Sequence, residues 1–128
     1  RAIMRAVHFF DENRRALLEN NALAADNLDF FFELVRQSGA SSANLLQNLY
    51  SCRKPTEQGI PFGIMMSKRF LGKSGAVRVH GGGFAGTIQA FVPTKVTADY
   101  VKEMEALYGK GSCYVLRIRP VGGFALEV

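Results

Sequence analysis

The chain has 128 residues, 48% of them apolar, with two cysteines and a formal net charge of +5. That length fits one domain with a real core, while no apolar run approaches the ~20 residues of a membrane span. The basic residues, among them Arg14, Arg15, Arg53, Lys54, Lys68, Arg69 and Arg117, are scattered among acids such as Glu12, Glu33 and Glu103, which excludes the dense basic stripe of a nucleic-acid binder and leaves attraction for a small anion such as a nucleotide.

Ile3, Val7, Phe10 and Leu17 recur at helical spacing, so roughly the first twenty residues are expected to form an amphipathic helix. Asp26 or Asn27 caps a second helix, on which Leu28, Phe31, Phe32 and Val35 share a face and which Gly39 stops. In the run Phe30, Phe31 and Phe32, two rings face the core and the third is left for another lobe or partner chain to cover. Ser41 or Ser42 opens a short helix bearing Leu45, Leu46 and Leu49. After a loop over 51–56, a further helix runs to about Leu71, with Pro61 tolerable only near its start.

From about Lys73 the period changes from helix to strand. Val77 and Val79 alternate with Arg78 and His80 in a strand that ends at three glycines, and residues 87–92 return as a second strand. Thr94 or Thr97 opens a helix carrying Val96, Tyr100, Met104 and Leu107, closed by Gly109. Residues 113–119 read as a third strand, with Tyr114, Leu116 and Ile118 on one face and Cys113, Val115, Arg117 and Arg119 on the other. Pro120 ends it, and residues 121–128 form a tail. A helical part (1–72) followed by a strand–loop–strand–helix–strand part (73–120) predicts an α+β domain, an antiparallel sheet with helices packed on it. Cys52 and Cys113 lack zinc-ligand neighbours and are expected to be buried or half-buried free thiols, as in a reducing cytoplasmic compartment. The charged amino terminus has no signal-peptide character, and the absence of an initiator Met suggests a start inside a longer polypeptide.

The segment VRVHGGGFAGTIQAFVP is the strongest candidate for chemistry. Three successive glycines let the backbone turn with positive φ, and consecutive N–H groups in such a turn form a concavity for anions. Three familiar motifs share its letters but not its context. Gly81, Gly83 and Gly86 match the dinucleotide fingerprint, yet a strand follows where that motif opens a helix. Gly72, Lys73 and Ser74 end like a P-loop, but the required glycine position holds Ser67 and a helix precedes it. His80 and the three glycines resemble the oxyanion tetrad of lipases, but the chain has no G-x-S-x-G elbow.

Arg78-x-x-Gly81-Gly82-Gly83-Phe84-x-Gly86 and its following strand are similar to the third motif of galactokinases, in the GHMP kinase superfamily with homoserine and mevalonate kinases. Arg5-x-x-His8-x-x-x-Glu12 with Arg14, and Leu28-x-x-Phe31-x-x-Leu34-Val35-x-x-Ser38, resemble two helices of that family in the family's order. The chain departs at Ala76 and Val77 for Gly-Ala, Val79 for Met, His80 for Thr and Ala85 for Gly. The resemblance implies the C-terminal lobe of a two-lobed kinase, a ferredoxin-like α/β sandwich, that transfers the ATP γ-phosphoryl group to a sugar hydroxyl. It implies that Gly81, Gly82, Gly83, Phe84 and Gly86 shape the nucleotide-phosphate pocket; as a large apolar side chain, Phe84 is itself expected to pack in the core and anchor the loop. His80 either contacts a phosphate or sugar oxygen or fixes the turn; Arg78 either pairs with phosphate or faces solvent or an acid. The family's catalytic Asp, its phosphate-adjacent Arg and its main phosphate loop have no counterpart in this chain, so the resemblance implies that ATP and Mg are held mainly by an N-terminal lobe, with no catalytic residue or metal ligand here. No nucleic-acid or membrane partner is expected. The competing expectations are a free-standing α+β binding or dimerisation module, or a superfamily kinase acting on another small alcohol.

Overall fold

The structure is a computed structural model, and it describes residues 1–84, 86–118, 122 and 125. Helix α1 spans Ala2–Ala24 and α2 spans Leu28–Ser41, continuing as one π-helical turn over Ser42–Leu46. Helix α3 spans Gly59–Leu71, strands β1 and β2 span Ala76–Val79 and Ile88–Phe91, and a 3-10 turn at Thr94–Val96 leads into α4, Thr97–Tyr108. The chain is therefore α+β. The described sheet is one antiparallel hairpin, with Ala76 opposite Phe91 and Val79 opposite Ile88.

Local chemistry explains most boundaries. The Asn27 side chain accepts the Phe30 amide at 3.0 Å and so caps α2. Pro61 sits in the first turn of α3, where a missing N–H costs nothing. Gly39 does not stop α2: a Cβ there would lie 3.2 Å from the Arg78 Cβ, so this glycine serves close approach of helix to strand. The helical run ends instead at Gln47, whose left-handed φ of 59° redirects the chain.

The hairpin lies between two helical layers. On one face, Ala22 of α1 and Phe31, Leu34 and Val35 of α2 pack with Ala76, Phe91 and Phe32. The Phe31 and Phe91 rings meet edge to face at 5.1 Å. On the other, Leu71, Tyr100 and Met104 gather Ile88, Ala90, Val92 and Cys113. Ser67 is completely buried between α3 and α4, donating to the Gly63 carbonyl and sharing a 2.7 Å hydrogen bond with the Tyr100 hydroxyl.

Three further expectations are corrected. Ile3, Phe10 and Leu17 are exposed; the face of α1 turned to α2 carries Met4, His8, Glu12, Arg15, Leu18 and Ala22. Residues 113–118 form no strand: the four large apolar side chains at 114–116 and 118 are 67–87% exposed and meet no sheet edge among the described residues. Arg119, Pro120 and all but two residues of the tail lie outside the described residues. Cys52 is exposed, whereas Cys113 is half-buried as expected. Among the described residues, no helix is long and apolar enough to cross a membrane.

Candidate functional site

The glycine bend joins β1 to β2. His80 closes its base, donating its amide to the Thr87 carbonyl at 3.1 Å, while the Thr87 hydroxyl donates back to the His80 carbonyl. Gly81, Gly83, Phe84 and Gly86 all have positive φ, which relieves strain at the glycines and concentrates it at Phe84, with φ 50°.

Asn48 holds this bend from below, and the sequence reading missed it. Its backbone carbonyl accepts the Phe84 amide at 3.0 Å, and its side-chain Nδ2 donates to the Gly82 carbonyl at 3.2 Å. Asn48 is only 2% exposed, and its Oδ1 has no hydrogen-bond partner among the described residues. The contact leaves no room for a side chain at Gly83, whereas Gly81, Gly82 and Gly86 face open space. Among the described residues, the amides of Gly81, Gly82, Gly83 and Gly86 donate to no protein acceptor. The bend is thus a pinned surface turn with unpaired donors, chemically suited to an anionic oxygen.

Phe84 is not the core anchor expected of it. Its amide is tied to Asn48, its left-handed backbone throws the ring outward, and the residue is 56% exposed. The ring borders a surface cleft of about 550 Å³ that also meets Gln47, Tyr50, Cys52 and Arg53. Arg53 gives this cleft a fixed positive charge beside the bend.

Arg78 turns toward the helices. Its Nη1 donates to Ser38 Oγ at 2.6 Å and lies 3.7 Å from Glu12 Oε2. Ser38 is fully buried and donates to Glu12 Oε2 at 2.6 Å, and Arg15 pairs with the other Glu12 oxygen. Glu12, Ser38 and Arg78, drawn from three separate motifs of the sequence, therefore meet in one linked group that ties α1, α2 and β1 together. His8, one turn before Glu12, shares a 2.9 Å hydrogen bond with Ser41 Oγ. Burial holds the His8 pKa below its ordinary value, with the Arg15 charge adding to the effect and Asp11 opposing it. His80 is exposed at the edge of the bend.

Among the described residues, no group of three His, Cys, Asp or Glu side chains gathers as metal ligands do. Compared with known proteins, the chain matches no protein-family model and no solved structure.

Proposed function

We propose that this chain is the C-terminal lobe of a galactokinase-like sugar kinase, whose glycine bend presents backbone amides to the phosphates of ATP. The observation that carries the reading is the set of amides at Gly81, Gly82 and Gly86 that, among the described residues, donate to no protein acceptor, in a bend that Asn48 holds through Gly82 and Phe84. Two further features support it. The galactokinase-like motif residues Glu12, Ser38 and Arg78 are hydrogen-bonded partners, as expected if those motifs belong to one unit. The neighbouring cleft carries Arg53 and two aromatic rings, Tyr50 and Phe84, a chemistry that suits a planar anionic ligand.

In this reading the amides and His80 position phosphate oxygens, Arg78 braces the strand that leads to them, and the acceptor is a sugar hydroxyl, probed first with galactose. In this reading the metal and the reacting groups are supplied by an N-terminal lobe, and the whole enzyme works in the cytoplasm. Phosphoryl transfer depends on positioning and charge stabilisation, and one wall of a site supplies almost none of the rate.

The test is ATP added to the 15N-labelled chain, with turnover measured in parallel. We expect amide shifts centred on Gly81, Gly82 and Gly86, their loss in Gly82→Pro, and no ATP-dependent phosphorylation of galactose. Shifts confined to other residues, no shifts at all, or robust turnover by the chain alone would overturn the reading.

A further inference from the structure

The cleft beside the glycine bend has the size of a small-molecule site, and its wall includes Ala43, Gln47, Tyr50, Ser51, Arg53 and Phe84. Tyr50 and Phe84 are both exposed, and aromatic rings left in water at one cleft are a platform for a planar ligand. The backbone around them is held in costly shapes. Among the described residues, three that are not glycine have positive φ, and two of these, Gln47 at 59° and Phe84 at 50°, line the cleft. The π-helical turn Ser42–Leu46 delivers Gln47 to it, with the Ser42 carbonyl accepting the Gln47 amide at 2.7 Å. Asn48, the next residue, binds the Phe84 amide, so one buried side of the cleft holds both walls. Strain and π-helical turns of this kind gather at ligand sites.

We propose that this cleft seats the adenine base of the nucleotide whose phosphates lie on the bend, stacked on Tyr50 and Phe84 and read by Gln47. The polar groups of the wall fit that ligand. Ser51 Oγ accepts the Arg53 amide at 3.3 Å and holds the short turn that carries the guanidinium. Among the described residues Arg53 makes no ion pair, whereas its neighbour Lys54 is paired with Glu57. That leaves Arg53 free to meet the phosphate nearest the ribose. Gln47 is exposed, and among the described residues its carboxamide has no hydrogen-bond partner. A carboxamide offers one donor and one acceptor side by side, the pattern that pairs with adenine at N6 and N7. Guanine presents two acceptors on the same edge and satisfies only half of it. Phe84 belongs to both places, and it stands two residues from Gly82 and two from Gly86. Its Cα therefore lies within about 8 Å of either glycine, a gap that one ribose and its first phosphate span.

The adenine site rests on the reading of the bend as a phosphate site, and three probes tell their failures apart: ATP, GTP and inorganic tripolyphosphate, each added to the 15N-labelled full chain. We expect all three to shift the amides of Gly81, Gly82 and Gly86, and ATP to shift those of Gln47, Tyr50 and Arg53 well beyond what tripolyphosphate does. ATP should bind roughly tenfold more tightly than tripolyphosphate, the effect of stacking one base on an aromatic ring, and more tightly than GTP. Tyr50→Ser should remove most of the advantage of ATP over tripolyphosphate. Gln47→Gly, which takes the left-handed backbone freely, should abolish the preference for ATP over GTP. Both substitutions fall on exposed side chains, where the fold tolerates them. If every probe moves the bend while the cleft stays still and ATP binds no better than tripolyphosphate, the phosphate reading stands and the adenine site falls. Cleft amides moved as far by tripolyphosphate as by ATP assign the cleft to an anion alone and overturn the adenine site too. A bend that no probe moves removes both.

Discussion

A Cβ at Gly83 would overlap the backbone carbonyl oxygen of Asn48, at a φ of 71° that side chains rarely adopt. At Gly82, one residue earlier, a Cβ would meet nothing, and the backbone is not left-handed. Gly83→Ala should therefore cost about 3 kcal/mol of stability, and Gly82→Ala should stay within about 0.5 kcal/mol, by denaturant titration. Equal costs would show that Asn48 does not hold the bend. The glycines themselves were legible, because three in a row between two alternating segments have few other uses. Asn48 was not, because its partner Gly82 is 34 positions away and nothing local marks a loop asparagine as a clamp. Phe84 was misread for a related reason. Its side chain argues for burial, but the bond from its amide to Asn48 decides where the ring goes.

Among the elements, α1 shows most clearly how periodicity can be right and orientation wrong. The spacing of Ile3, Val7, Phe10 and Leu17 predicts a helix, and the helix is there, but its inward stripe runs through the half-buried His8, Glu12 and Arg15 to the buried Ala22. Hydrogen bonds and an ion pair from Glu12 to Ser38, Arg78 and Arg15 fix that side against α2, a pairing that hydrophobicity alone does not report. His8 belongs to the same stripe and makes the α1–α2 contact sensitive to pH. Its folded-state pKa is lowered from 6.5, chiefly by burial, so the unfolded chain takes up a proton that the folded chain resists. Between the folded-state value and 6.5 the unfolded state binds more protons, and stability therefore rises with pH across that window. The contribution is intact above 6.5 and is lost as the pH falls below it. His8→Gln should flatten this part of the stability–pH curve while leaving any acid transition of the carboxylates in place. An unchanged slope between neutral and mildly acidic pH would remove His8 as its source.

At the scale of the whole molecule, the hairpin is the element both helical layers use. The sequence divides into a helical part and a strand-bearing part near Lys73, but packing does not follow that line. Helix α3 lies before the division and packs with Tyr100 and Met104 of α4 after it. The β1–β2 hairpin was readable from the alternation of Val77 and Val79 before the glycines and the strand-like run after them, whereas the sorting of helices between the two faces depends on contacts too distant in sequence for any local pattern to encode. Phe91 faces the α1–α2 layer, while its strand neighbours Ile88 and Ala90 face the α3–α4 layer. A two-stranded sheet is too small to stand without both layers, so the layers should unfold together. Phe91→Ala removes a ring that packs on Phe31 and Phe32, and Met104→Ala empties a buried position in the opposite layer. Each should cost about 2–4 kcal/mol and lower one shared thermal transition. Calorimetry of the two variants decides the matter. A single transition displaced in both makes the hairpin the link between the layers, and a transition that splits, with one half unmoved by each substitution, makes the layers independent units that merely share a strand pair.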